Sequence, residues 1–574
     1  MPDDLNRKNN SLDAQRKKAL HRGKTLLQER QTGWDGHWQA IATNLLPRLS
    51  RFMTTDRNRG GDRNQAIIDS AGTWALRTLA AGMMAGMTSP ARPWFKLGLP
   101  DEDLAEHHSV KLWLADVTRL MQRIFRKSNT YNTFHGMYRE LGGFGTSLSV
   151  VESNFDTVIH NNLMTIGQFS LGTNHLGMID KVAREFKLTV EEAVEWFGLE
   201  ALGPEARNAY DCSNYGKQIE ILHIIEPNPD RDPRKIDKLN MPFKSVYWDK
   251  RDTTVKMGQL KAGGYHRFPA IAPRWDVLWG DTWGSSPAMD ALGDLLQLQN
   301  NQLRKDKAID YRVDPPLQIP TAMRGQGDFL PGGISYYDGY TPNGGVRTAF
   351  EVNLDPNLLL EDIADVRGRI NKAFYADLFL LIADTDKRMT ATEVAERQEE
   401  KLLMLGPVLE RLHNEMLSPY IAMTFERMIE SGILPPPPPE LAEVELEVEY
   451  VSVLAQAQRA VGVNATDRLV GHIGMLAQLG KVDVVDKFDT DKSVERYADQ
   501  LGVDPDLIVS GENVALVRSQ RAQQQAAAQA AENAAKMGSA AASLGSIQTG
   551  AEPQQNAASD LMNLFSGYNA APPA

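Results

Sequence analysis

Hydrophobic positions repeat at helical spacing along much of this chain, and the longest such stretch runs from residue 286 to 432. SSPAMDALGDLLQLQNNQLRKDKAID opens with Ser286 as an N-cap and Pro287 at the first helical position, where a missing N–H costs nothing. Asp355 and Pro356 repeat that signal ahead of Leu359, Ile363, Val366, Ile370, Phe374, Leu378 and Leu381, an apolar stripe of helical period. A third run, MTATEVAERQEEKLLMLGPVLERLHNEMLSPYIAMTFERMIESG, has a capping box in Thr390 and Glu393, a kink signal in Gly406 and Pro407, and a stop at Gly432. At about 1.5 Å per residue it would reach about 60 Å, well beyond an ordinary globular helix. Helices of that length belong to coiled coils, membrane bundles or large symmetric assemblies. The chain therefore reads as an assembly component before it reads as an enzyme.

Between the first two runs lies YRVDPPLQIPTAMRGQGDFLPGGISYYDGYTPNGGVRTAF, rich in Pro, Gly and Tyr and without helical period. Two antiparallel helices carrying a compact tip fit that order. Upstream, Leu20, Leu26, Leu27, Trp34, Trp38, Ile41 and Leu45 predict the buried face of one or two helices. RFMTTDRNRGGDRNQA reads as a solvated loop whose arginines could meet phosphate. A helix is expected over 65–90, and its small residues (Gly72, Ala80, Gly82 and Gly86 among them) would allow close backbone approach in a bundle or a subunit interface. Another helix is expected over 105–140.

From Gly142 the pattern changes. GGFGTSLSVVES predicts a glycine turn feeding a strand, and 163–280 mixes short strands (MTIGQFSLG, QIEILHIIE, FKSVYWDK) with one helix capped by Thr189 and Glu192. The fold class expected is α+β, mostly helical, with the strands inserted between helical elements. After the polyproline spacer LPPPPPE, AEVELEVEYVSV predicts a strand and 455–515 a small helical domain. RSQRAQQQAAAQAAENAAKMGSA is a helix former without an apolar stripe, and the last residues read as disordered.

Composition narrows the function classes. The 574 residues exceed one ordinary domain, and the 42% hydrophobic and 24% charged fractions are those of a folded protein. The single Cys212 leaves no disulfide framework or cysteine zinc finger and fits a reducing cytoplasm. MPDDLNRKNN has no apolar core, so no signal peptide is expected, and Arg77 within the most apolar window argues for a packed helix over a membrane span. A net charge of −12 argues against gripping nucleic acid over the whole surface, yet permits a local contact or a surface along which DNA slides.

Catalytic signals are weak. Gly23-Lys24-Thr25 resembles the end of a phosphate loop, but Lys18 stands where its first glycine belongs. Gly142, Gly143 and Gly145 precede a strand, whereas a dinucleotide fingerprint needs a helix there. His107 and His108 are adjacent, no metal-ligand spacing occurs, and Asp384 with Asp386 reads as a charged loop beside a helix. No catalytic, cofactor-binding or metal-binding residue is assigned, and no cofactor is expected.

Four stretches, in order, resemble the head-to-tail connecting (portal) proteins of T7-like, short-tailed bacteriophages. They are SAGTWALRTLAAGMMAGMTSPARPWFKL, ending near Trp94 and Phe95; YHRFPAIAPRWDVLWGDTWGSSPAMDALGDLLQLQ, with Gly280 and Gly284; TATEVAERQEEKLLMLGPVLERLHNEML followed by Pro419; and VEYVSVLAQAQRA. The resemblance covers most of 20–515. It implies a ring of twelve copies at one capsid vertex, through which double-stranded DNA is packaged and ejected. Implied partners are the terminase large subunit, a tail adaptor protein, major capsid and scaffold proteins, and internal core or ejection proteins. No membrane is expected. The implied locations are the portal vertex of the virion and, during assembly, the host cytoplasm.

The family fold implies a wing over 1–285 (with its α+β region at 142–280), a first stem helix at 286–309 and a clip at 310–355. A second stem helix at 356–382, a channel loop at 383–390 and a long kinked wing helix at 391–432 would follow. The crown would take 433–515, a helical barrel 516–545 and a disordered tail 546–574. Lys387 and Arg388 in ADTDKRM are candidate contacts to DNA. Arg304 and Lys305, with Lys307, could serve dipole compensation, subunit pairing or DNA contact. Tyr336, Tyr337 and Tyr340 are a candidate docking surface or local packing within the tip. Rival classes are a nuclease or terminase subunit, and an internal scaffold or ejection protein.

Overall fold

Helix α1 (Pro2–Gly33) lies across one face of a five-stranded antiparallel sheet, and the contact explains its sequence. Arg16, Ala19, Gly23, Leu26 and Arg30 recur every three or four residues and form its buried stripe. Ala19 and Leu26 pack on Ala183, Leu222, Ile224 and Trp248 of the sheet. Buried arginines pin the helix at its middle and near its C-terminal end: Arg16 donates to the carbonyl oxygen of Asp249 (2.8 Å), and Arg30 to those of Gly167 (2.9 Å) and Phe169 (2.7 Å). Gly23 of the phosphate-loop resemblance sits mid-helix, where a Cβ would stand 3.1 Å from Leu222. Close helix–sheet packing accounts for that glycine.

The computed structural model describes residues 2–49, 66–101, 107–235, 237–320, 330, 332–337, 347–348, 356–383, 405–441, 447–450, 475 and 511–545. After α1 come α2 (Asp35–Asn44), α3 (Ala71–Met87), β1 (Phe95–Gly98), α4 (His108–Lys127) and α5 (Thr130–Phe144). Strands β2 (Leu148–Asn154), β3 (Val158–Met164), β4 (Phe169–Thr173) and β5 (Ile179–Thr189) lead to α6 (Val190–Phe197) and α7 (Pro204–Asp211). Strands β6 (Gln218–Pro227), β7 (Phe243–Asp249), β8 (Gln259–Tyr265) and β9 (Ala270–Ile271) precede α8 (Pro287–Asp290) and α9 (Leu292–Val313). Then come β10 (Leu317–Pro320), β11 (Ile334–Tyr337), β12 (Arg347–Thr348), α10 (Pro356–Ala373), α11 (Ala376–Ala383), α12 (Ser418–Glu430), β13 (Glu447–Tyr450) and α13 (Gly511–Gly545). The architecture is α+β and mostly helical. Residues 1–104 and 113–488 form one compact unit, and 105–112 with 489–574 another.

The large sheet has the order β4-β5-β6-β7-β8. Its face opposite α1 is covered by α6 and α7 over Leu188, Ile219, Ile221, Tyr247 and Leu260. The Thr189–Glu192 capping box forms as the sequence predicts, while α7 is a second helix that the sequence reading missed. A second sheet has the order β3-β2-β9, and β1 pairs antiparallel with β13, joining residues 95–98 to 447–450.

Three expectations need correction. Gly142 and Gly143 lie inside α5 and not in a turn; only Gly145, at φ 77°, makes the left-handed exit. The two helical glycines are close-approach points, since a Cβ at Gly142 would meet Leu76 and Leu79 (both 2.6 Å) and one at Gly143 would meet Leu46 (2.8 Å). The helix expected over 105–140 is two, α4 and α5, separated at Ser128 and Asn129. The helix expected over 65–90 spans Ala71–Met87, and its small residues serve packing within the chain: a Cβ on Gly72 would run into Leu295, and one on Gly82 into the Phe379 ring.

Gly82→Ala should therefore lower stability by about 1–3 kcal/mol through overpacking, more than the ~1 kcal/mol of helix propensity it gains. A thermal unfolding midpoint below the parent's is expected. An equal or higher midpoint would show that the contact with Phe379 relaxes freely.

Candidate functional site

Helices α9 and α10 run antiparallel, side by side, with a small sheet at the end where they connect. The chain enters through Ser286, whose Oγ accepts from the Met289 N–H and donates to the Gly143 carbonyl (2.9 Å), with Pro287 at the first helical position. Asn301 Nδ2 donates to Asp362 Oδ2 (2.5 Å), Arg369 Nη2 donates to Gln297 Oε1 (3.1 Å), and the same guanidinium lies 3.4 Å from Asp294. At the tip β10 pairs parallel with β11 and antiparallel with β12. The Pro/Gly/Tyr-rich segment therefore contains a three-stranded sheet in the order β11-β10-β12.

One carboxylate ties the pair to the rest of the unit. Asp69, just ahead of α3, is buried, and its Oδ2 accepts from Gln302 Nε2 (2.7 Å) on α9 and from Arg367 Nε (3.1 Å) and Nη2 (2.8 Å) on α10. Its Oδ1 accepts from the Ala71 N–H (2.9 Å). Gln299 completes the cluster, taking the N–H groups of Ile68 (2.7 Å) and Asp69 (2.9 Å) on Oε1 and donating to the Asp69 carbonyl (3.0 Å). Burial pushes the Asp69 carboxyl up. The Ala71 N–H, Arg367 and Gln302 outweigh that and hold it below its ordinary range.

Below Ala373 the second helix breaks. Tyr375 adopts φ 54°, its ring lies 6.2 Å from that of Trp275, and α11 then packs Phe379 against α3 at Gly82. The chain is next described from residue 405, where a helix leads into a π turn, His413–Leu417, ahead of α12. Pro419 explains that turn: it lacks an N–H and its ring would clash with a carbonyl one α-turn back, so the wider turn accommodates it. Glu415 within the turn accepts from Arg274 Nη2 (2.7 Å), Nε (3.2 Å) and backbone N–H (3.0 Å), and Arg274 also donates to the Gly177 carbonyl (3.0 Å). Tyr420 OH meets Thr130 Oγ1 (2.6 Å) and Asn161 Nδ2 (2.9 Å), and burial pushes its phenol up. Gly432, at φ 65°, ends α12 as predicted: its own N–H bonds the Ile429 carbonyl and that of Ile433 reaches Met428.

The sequence-predicted residues fall unevenly. Lys387, Arg388 and Tyr340 lie outside the described residues, as do the Thr390/Glu393 capping box and Asp384. Arg304 is exposed on α9, whereas Lys305 is half-buried and donates to Gln302 Oε1 (2.6 Å). Helix α9 extends to Val313 instead of ending near 309, so Arg312 occupies the last turn and Arg304 and Lys305 stand too far back for dipole compensation. Tyr336 is half-buried opposite Ile319 in the tip sheet, and Tyr337 is level with Pro320. Gly406 and Pro407 lie in the first described turn of their helix. The sequence reading missed Asp69, Gln299, Gln302, Arg367, Arg274 and Glu415; Pro419 was the one local signal for the π turn.

Among the described residues no group of three or more His, Cys, Asp and Glu could hold a metal, and no helix is long and apolar enough to cross a membrane. The family model "Bacteriophage head to tail connecting protein" matches residues 16–509. The chain is similar to the "Probable portal protein" of Bordetella phage BPP-1, 52% identical over 96% of this chain and 99% of that protein. It is also similar to the "Portal protein" of Salmonella phage epsilon15, 40% identical over 88% of this chain and 91% of that one. A chain in the neck of an empty gene transfer agent particle is 13% identical over 71% of this chain and 90% of that one, with a TM-score of 0.33, too distant to carry an argument.

Asp69→Asn should cost about 1–3 kcal/mol at pH 7, because a charge-assisted cluster loses its charge. With its native pKa held below the ordinary 3.8, the stability from Asp69 is present above 3.8 and lost as pH falls through the lower native value. Melting midpoints of parent and variant should differ at pH 7 and converge at strongly acid pH. A gap that does not change with pH would contradict the charged role.

Proposed function

We propose, because the chain belongs to the family of bacteriophage head to tail connecting proteins, that it forms a ring of twelve copies at one capsid vertex. Its function is that of a portal, a structural connector for DNA packaging and not an enzyme. The observation that carries this is the 52% identity to a probable portal protein over 96% of the chain. In the fuller reading the ring nucleates head assembly, passes double-stranded DNA along its axis during packaging and ejection, and meets capsid, scaffold and internal core or ejection proteins. It would act at the portal vertex of the virion, after assembling in the host cytoplasm.

The long antiparallel pair supports a stem assignment, with α9 and α10 as stem helices and the three-stranded tip as the clip that meets the terminase large subunit and the tail adaptor. Tyr336, Tyr337 and Tyr340 would lie on that docking tip. The sheet-bearing region and N-terminal helices would form the wing, residues 433–515 the crown, and α13, exposed from Ala515 to Met537, the barrel. Residues 383–390 would be the loop nearest the DNA. A conduit must not hold its cargo, and a net charge of −12 with only short cationic stretches, such as Lys387–Arg388, suits sliding.

Class averages of the purified chain should show closed rings with an open axis; monomers or filaments would contradict the reading. Replacing Lys387 and Arg388 together with Ala should leave rings intact and reduce packaged DNA. Unchanged packaging and retention would remove the channel-loop role.

A further inference from the structure

Four large apolar side chains stand in solvent where two loops meet. Leu176 and Met178, each 56% exposed, flank the turn glycine between β4 and β5; Leu278 and Trp279, 76% and 87% exposed, lie between β9 and α8. The loops touch: a Cβ on Gly177 would stand 3.9 Å from the Trp279 ring. Arg274, itself buried, holds both, donating to the carbonyl oxygens of Gly177 (3.0 Å) and Asp281 (3.4 Å). Three exposed carboxylates accompany them: Asp276 and Asp281 in the second loop, and Asp290 at the end of α8. Partial burial and then the charge of Asp276 push the Asp290 carboxyl up, as neighbouring carboxylates do. None of the three is ion-paired among the described residues, and Lys181 on β5 is already taken by Asp180 (3.0 Å).

We propose that this patch docks a basic amphipathic helix of a different protein, with the helix's apolar face on Trp279 and its neighbours and its Lys or Arg side chains on the three carboxylates. The inference goes beyond the connector reading and does not depend on the ring. An exposed apolar cluster marks an interaction surface, and tryptophan is enriched at the energetic centres of such surfaces. The backbone here has no strand to offer. Asn174 Oδ1 accepts from the N–H groups of Leu176 (2.9 Å) and Met178 (3.0 Å), the Ser285 N–H goes to the Asp276 carbonyl (2.7 Å), and the Asp281 N–H to that of Leu278 (3.0 Å). With those donors used, recognition falls to side chains, which is how a helix laid on an apolar surface is held. Charge selects among occupants. The carboxylates repel nucleic acid and anionic lipid, and a second copy would bring its own net charge of −12. A basic partner is drawn in.

A fluorescein-labelled Leu/Lys amphipathic helical peptide, with its Leu/Glu counterpart, tests this on the full chain by fluorescence anisotropy. The parent should bind the Leu/Lys peptide and not the Leu/Glu one. Trp279→Ala should weaken binding at least about tenfold, as the loss of a central tryptophan does, with the parent's melting midpoint retained because the ring packs outside the core. Asp276→Lys with Asp281→Lys should reverse the preference between the two peptides. Asp211→Lys with Glu195→Lys makes the same change in net charge on an exposed surface elsewhere and should leave binding as in the parent. A parent that binds neither peptide, a Trp279→Ala variant that binds as the parent does, or an equal loss in the two lysine pairs would overturn the proposal. So would Trp279→Ala losing the parent's oligomeric state in sedimentation, which would assign the patch to a second copy.

Discussion

A carboxylate buried where three helices meet has to be compensated by all three, and Asp69 is. Donors from α9, α10 and the first turn of α3 converge on its two oxygens, while Gln299 takes up the backbone of the same loop. Removing any one donor would leave a buried charge short of partners, so the relative placement of the three helices is set jointly. Close approach reinforces this: Gly72 and Gly82 of α3 admit Leu295 of α9 and Phe379 of α11 at distances that no side chain would allow. The long helices are thus fixed at one end to the body that holds α3 and run toward the small sheet at the other.

That constraint leaves two sides of each long helix open to solvent, with Leu296 and Leu303 exposed on α9 and Leu358 and Leu360 on α10. Arg274 and Glu415 do a related job where the third helix returns, clamping the π turn that Pro419 requires to the loop before α8. Both clusters are ionic, buried at least on one side, and join segments far apart in sequence.

The elements that depend on local signals were legible in the sequence. Ser286 with Pro287, Thr189 with Glu192 and Gly432 all act through residues within one helical turn, and each does in the structure what its chemistry predicts. Gly142 and Gly143 were misread because a glycine needed for close packing looks the same in sequence as one needed for a turn; only the facing Leu76, Leu79 and Leu46 tell them apart. Asp69 and Arg367, or Arg274 and Glu415, are separated by more than a hundred residues, so no spacing rule could pair them. The parallel β10–β11 pairing was likewise hidden, since proline and glycine mark breaks without saying which strands meet.

The most direct measurement is a density map of the assembled particle at a resolution that traces helices. The account predicts a closed ring whose axial opening is lined by α9 and α10, with the three-stranded sheet at one end. A ring lined by the five-stranded sheet, or with α9 and α10 on its outer rim, would contradict it.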